Sequence, residues 1–125
     1  QIVTNARMLA GELKRYGFAI ISDDTDTHLM LADVTFFGIG GQRAGELLEQ
    51  AGIIVNKNMI PYDTRTPNDP SGIRLGTPAV TTRGMKEKEM CQIAKLIAEV
   101  IIEGKSPESV ARQVRALTRK FPLWY

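Results

Sequence analysis

The pentapeptide Gly72-Ile73-Arg74-Leu75-Gly76 constrains this chain more than any other stretch. Its alternation predicts a strand with Ile73 and Leu75 turned toward a core and with Gly72, Arg74 and Gly76 on the other face. Glycine is a poor strand residue, and inside a strand it marks the close approach of a ligand. An arginine set between two glycines has no side chain beside it, so a ligand can reach both the guanidinium and the backbone. The guanidinium is a planar fork that matches a carboxylate or a phosphate through two parallel hydrogen bonds. Two readings of Arg74 stay open on these grounds: an anion-binding arginine on a rigid element, or one half of a structural salt bridge.

The elements around that strand are short. Ala6, Leu9, Ala10 and Leu13 recur at helical spacing and predict a helix over 2–15, stopped by Gly17. Phe18 to Ile21 and His28 to Val34 read as two strands, antiparallel to each other, joined by the polar turn Ser22-Asp23-Asp24-Thr25-Asp26. The three aspartates lack the glycine and the distal glutamate of a calcium loop. His28 has no cysteine or histidine partner at zinc spacing and reads as a hydrogen-bonded residue at a strand start. Gly38-Ile39-Gly40-Gly41 feeds a helix over about 42–51, with Ala44, Leu47, Leu48 and Ala51 as its apolar stripe and Gly52 as its stop. The glycine spacing fits neither a dinucleotide nor a Walker fingerprint, so a glycine turn is expected there rather than a phosphate loop.

Ile53-Ile54-Val55 reads as a third strand. The stretch from Asn56 to Ser71 has three prolines and no periodicity, which predicts a fixed functional loop bordering Arg74. Thr77 to Arg83 suits a short helical turn. Met90, Ile93, Ala94, Ile97 and Ile101 share one face of a helix over 86–103 ended by Gly104, and Cys91 beside that stripe reads as packing. Ser106 is placed to cap a last helix, with Val110, Val114, Leu117 and Phe121 as its buried face and Arg112, Arg115, Arg119 and Lys120 solvated. These elements predict an α+β domain, a small mainly antiparallel sheet covered on one face by helices.

With 125 residues the chain is expected to be one domain with one core. A net charge of +2 with no dense basic stripe argues against nucleic-acid binding, and no apolar run approaches membrane-spanning length. One cysteine excludes an internal disulfide and fits a reducing compartment. There is no signal peptide and no initiator methionine, so the sequence reads as a fragment of a longer chain.

Asn56-Lys57-Asn58, Pro61, Ser71-Gly72-Ile73-Arg74 and Gly76-Thr77-Pro78-Ala79-Val80-Thr81-Thr82-Arg83-Gly84 closely resemble the C-terminal segment of serine hydroxymethyltransferase. The resemblance runs over essentially the whole chain. It implies that residues 1–125 are the C-terminal small domain of a longer fold-type I enzyme dependent on pyridoxal 5'-phosphate (PLP). That enzyme interconverts serine and glycine, with tetrahydrofolate as cosubstrate. The implied setting is a cytoplasmic homodimer whose active sites are shared across the interface.

The resemblance also implies roles for residues. Arg74 occupies the place of the arginine that holds the substrate carboxylate, and Asn58 that of the asparagine meeting the folate pterin ring. Arg83 matches a second arginine near the site. Arg65 falls where some relatives have a lysine, and two readings stay open for it: contact with the folate glutamate tail, or plain solvation. The chain departs from the family at Asp24-Thr25-Asp26-Thr27-His28-Leu29, where Gly-Thr-Asp-Asn-His-Leu is common, and at Thr66-Pro67-Asn68, where many members have Ser-Pro-Phe. The Schiff-base lysine motif is absent, and Lys57 is the only lysine near the proposed site. No catalytic residue and no metal ligand is therefore expected in this chain, which alone is expected neither to hold PLP properly nor to catalyse. Two alternatives remain: a non-catalytic amino-acid-binding regulatory domain, and a folate-independent PLP aldolase.

Overall fold

The computed structural model describes residues 2–21, 29–76 and 84–121. Helix α1 runs Ile2–Arg15 and is followed by strand β1, Ala19–Ile20, and strand β2, Leu29–Asp33. A 3-10 turn over Thr35–Phe37 leads to α2, Gly41–Gln50. Strands β3, Asn56–Asn58, and β4, Gly72–Gly76, precede α3, Glu87–Ile101, and α4, Pro107–Arg119. The predicted polar turn after Ile21, His28, and the helical turn from Thr77 to Arg83 lie outside the described residues.

The four strands form one antiparallel sheet in the order β1-β2-β4-β3. The predicted Gly72–Gly76 strand thus lies inside the sheet, between β2 and β3. Its alternation holds: Ile73 and Leu75 are buried, as are Met30 and Ala32 directly across on β2. Helices cover that face, with α1 packed along α3. Leu9, Leu13, Leu48, Met90 and Ile97 fill the space between, each worth roughly 1.5–3 kcal/mol of burial. The four expected α4 core positions all turn to the core: Val110 and Leu117 are buried, and Val114 and Phe121, the latter just past the end of the helix, are half-buried and packed against it. Gly17 and Gly52 stop their helices with φ of 105° and 86°, a region that only glycine enters at little cost.

Two expectations need correction. Ile53-Ile54-Val55 is not a strand; pairing begins at Asn56. The Ile53 amide still donates to the Leu48 carbonyl at 2.8 Å, so the chain is leaving α2 there and reaches the edge of β4 three residues later. Ile53 and Val55 pack on the core while Ile54 is exposed, which explains the strand-like pattern of a segment that is a connector. Ser106 sits at the N-cap of α4, but its side chain makes no capping hydrogen bond.

Among the described residues, two polar side chains on helices are built into the interior. The Asn5 amide donates to the Met85 carbonyl at 2.9 Å and ties α1 to the chain entering α3. Buried Glu99 on α3 accepts from Lys105 Nζ at 3.1 Å and from Gln113 Nε2 at 3.2 Å, joining α3 to α4. Both satisfy the requirement that a buried polar group be paired.

Candidate functional site

Strand register determines what surrounds Arg74. In the β3–β4 ladder Asn56 lies opposite Arg74, and Asn58 lies opposite Gly72. Directly opposed residues share a face of the sheet. Asn56, Asn58 and Arg74 therefore stand together on the face that the helices leave open. The Arg74 side chain is exposed and makes no hydrogen bond or ion pair with any described residue. Among the described residues, then, the structural salt bridge that the sequence left open does not exist. The Asn58 amide nitrogen donates to the neighbouring Met59 carbonyl at 2.8 Å.

Gly72 has a different reason for being glycine than the one expected. A Cβ placed there would lie 2.7 Å from Ile60 Cγ2 and 2.9 Å from the Asn58 carbonyl oxygen. The space beside Arg74 on that side is taken by the Ile60 side chain and not kept for a ligand.

Lys57 lies opposite Ile73, so it projects to the other side of the sheet from Arg74. Its ammonium donates to the Asn68 carbonyl at 2.8 Å. Arg65 is also engaged within the loop. Its Nε donates to the Asp69 carbonyl at 3.0 Å, and its Nη2 pairs with Asp69 Oδ2 at 2.5 Å. Asp69 Oδ1 in turn accepts from the Gln42 amide at 3.3 Å, in the first turn of α2. A Cβ on Gly40 would collide with the Asp69 carboxylate and the Arg65 guanidinium, and one on Gly41 with the Gly72 carbonyl. The two glycines make room for the loop, and the positive end of α2 meets a carboxylate of this chain. Arg83 and His28 lie outside the described residues.

The residue that sequence reasoning missed is Asp63. Its Oδ2 accepts from the amides of Ile60 at 3.2 Å and Ser71 at 2.9 Å. Its Oδ1 accepts from the Arg65 amide at 2.9 Å and the Ser71 hydroxyl at 2.7 Å. The Ser71 amide foremost, with the Arg65 amide, the Ser71 hydroxyl and the Ile60 amide, outweighs partial desolvation and holds this carboxyl well below its usual range. The preceding Tyr62 is fully exposed at φ 59°, a left-handed conformation that a non-glycine adopts at some cost. A signal was present: aspartate in a turn accepts from the amide two residues on, as Asp63 does from Arg65.

Taken together, the open face offers a charged two-pronged donor and two amides on a rigid sheet. The Asp33 carboxylate, opposite Gly72, shares this face and accepts from the Thr35 amide and hydroxyl, and among the described residues no group of three or more acidic, histidine or cysteine side chains gathers to hold a metal. Such a face has the donors to bind and orient an anion.

A family model described as serine hydroxymethyltransferase matches residues 1–97. The chain is 52% identical over 127 residues to a serine hydroxymethyltransferase of Koribacter versatilis, and 53% identical over 128 residues to one of Acidobacterium capsulatum. In each case 99% of this chain is covered and 30% of the relative, so the chain spans about a third of the length of the curated relatives it matches. With most of its length under the family model and about half its residues shared with these two enzymes, the chain belongs to the serine hydroxymethyltransferase family.

Proposed function

We propose that this chain supplies the amino-acid carboxylate clamp and part of the folate site of a full-length serine hydroxymethyltransferase. The observation that carries the reading is an exposed arginine, without a partner among the described residues, held by strand register on the same open face as Asn56 and Asn58. Two guanidinium N–H groups of Arg74 donate to the carboxylate of serine or glycine. That fixes the amino acid's rotation and removes orientational freedom before reaction. Asn58, with one donor and one acceptor on its amide, suits a ring edge that carries both, as the pterin of tetrahydrofolate does. In this reading Arg65 serves that site through the loop it braces, and Arg83 matches a second arginine of the family's site.

PLP supplies an electron sink to such an enzyme when bound. The described residues of this chain do not fit the cofactor itself: Lys57 projects away from the Arg74 face and its ammonium is engaged with the Asn68 carbonyl. The cofactor and its Schiff-base lysine are accordingly assigned to the part of the relatives' length that this chain does not span. The whole protein is read as a cytoplasmic homodimer, as the family resemblance implies. No helix among the described residues is long and apolar enough to cross a membrane.

The test compares the full-length protein with its Arg74→Ala variant for tetrahydrofolate-dependent cleavage of serine, and for glycine binding read from the cofactor's absorbance. Loss of a bidentate charge-assisted pair is worth about 2–3 kcal/mol, so glycine binding falls by about 30- to 150-fold with the cofactor retained. Arg74→Lys recovers only part, since it keeps the charge and loses the fork. Unchanged glycine affinity in Arg74→Ala overturns the assignment.

A further inference from the structure

The two strands that carry Asn58 and Arg74 are joined by the loop from Met59 to Ser71. Asp63 touches both ends of it. Through the Ile60 amide it holds the exit from β3, and through the Ser71 amide and hydroxyl it holds the entry to β4. A third donor, the Arg65 amide, closes the turn in which Asp63 itself sits. Ile60 lies two residues beyond Asn58 and covers Gly72, which lies two residues before Arg74. Ser71 is further fixed to β2, its carbonyl accepting from the Val34 amide at 3.0 Å. The carboxylate is thus the cross-link between the base of the folate-side strand and the base of the carboxylate-side strand. Two other side-chain ties, Lys57 to Asn68 and Arg65 to Asp69, fasten the second half of the loop, and the Asp63 amide donates to the Ile60 carbonyl at 3.1 Å, so residue 63 grips Ile60 through its backbone as well as its side chain.

We propose that Asp63 is a positioning residue for both ligand sites at once: it holds Asn58 and Arg74 in the register in which one amino acid and one folate are presented to each other. This rests on the function proposed above. The chemistry demands a carboxylate. All four partners are donors, and only a group with two unprotonated oxygens accepts from all of them. Asparagine of the same size would set an NH2 against at least one backbone N–H, even with its amide turned so that the Ser71 hydroxyl accepts from it, leaving a repulsive contact where a hydrogen bond had been. The β3–β4 ladder is only three pairs long, so the loop contacts share in holding its register, and a slip by one residue would turn Asn58 away from the Arg74 face.

The experiment uses the full-length protein in three forms: wild type, Asp63→Asn, and Ser71→Ala, which removes only the hydroxyl contact. KM for serine, KM for tetrahydrofolate, kcat and the bound-cofactor absorbance are measured for each. The expected result for Asp63→Asn is a rise of about tenfold or more in both KM values together, with the cofactor absorbance kept. Ser71→Ala is expected to raise both by about threefold. A merely structural aspartate would lower the yield of active enzyme, and so apparent kcat, without moving either KM, and that outcome overturns the proposal. If Asp63→Asn does not fold, Ser71→Ala decides alone, and two unchanged KM values overturn it. If the wild type proves to have no serine cleavage, the functional reading has failed separately. Amide exchange at Ile60, Arg65 and Ser71 then decides the cross-link: about tenfold faster exchange in the variants supports it, and unchanged exchange overturns it.

Discussion

Replacing Gly72 by alanine tests the geometry of the site most sharply. Gly72 does not have a positive φ, so alanine suits its backbone, and the substitution should gain about 0.5–1 kcal/mol from the stiffer unfolded chain. Against this stands contact. The new methyl would lie 2.7 Å from Ile60 Cγ2 and 2.9 Å from the Asn58 carbonyl oxygen. The first neighbour is a side chain that can swing only by lifting off the strand it covers. The second is backbone in the ladder pair Asn58–Gly72 and moves only if β3 moves. Overpacking of this kind costs about 1–3 kcal/mol, so a net destabilisation of about 1–2 kcal/mol is expected. For a chain of this size that lowers the melting temperature by about 3–8 °C. The assay is urea unfolding followed by circular dichroism for wild type, Gly72→Ala, Ile60→Ala and the double variant. The Ile60→Ala change removes Cγ2, so the cost of Gly72→Ala in that background should fall by about 1 kcal/mol. If Gly72→Ala is as stable as wild type and loses only ligand binding, glycine is there for the ligand and the packing argument is wrong. If its cost is undiminished in the Ile60→Ala background, the clash lies at the Asn58 carbonyl alone.

Other outcomes follow from single contacts. The Asp63 carboxyl is held below its usual value near 3.8, so its contribution to stability is complete above about pH 4 and is lost as the pH falls from there through the lowered folded-state value. Urea midpoints of wild type and Asp63→Asn should therefore draw together as the pH falls below about 4, and a constant gap would remove the carboxylate from the account. Glu99→Ala deletes the buried acceptor of Lys105 and Gln113 and should cost about 1–3 kcal/mol, read from the same unfolding curves; a neutral result would mean that α3 and α4 dock without it. Treating this chain alone with PLP and borohydride should leave no stoichiometric adduct by mass spectrometry, and such an adduct on Lys57 would reverse the division of labour between this chain and the rest of the protein.

Much of the architecture was legible locally. The helical periods of Ala6, Leu9, Ala10 and Leu13, and of Met90, Ala94, Ile97 and Ile101, point at the core they fill. The alternation of Gly72–Gly76 predicted both the buried face and the exposed arginine. These readings succeed because helix period and strand pleat are properties of a few consecutive residues. The strand at Asn56–Asn58 was not legible. Three polar residues carry no strand signal of their own, and they are extended because β4 offers them its edge. The helical period singles out neither Asn5 nor Glu99, which are buried because partners distant in sequence or in the next helix receive them.

The sequence by itself determined the helices, the central strand and the presence of an arginine on a bare face, together with the family motifs around it. Tertiary structure decided three further things: that Asn56 and Asn58 share that face, that Gly72 yields its space to Ile60, and that one carboxylate at Asp63 joins the two strands. Each depends on which residues meet across a loop. That is settled by the register of pairing and by the donors left over at strand ends, neither of which a run of consecutive residues encodes.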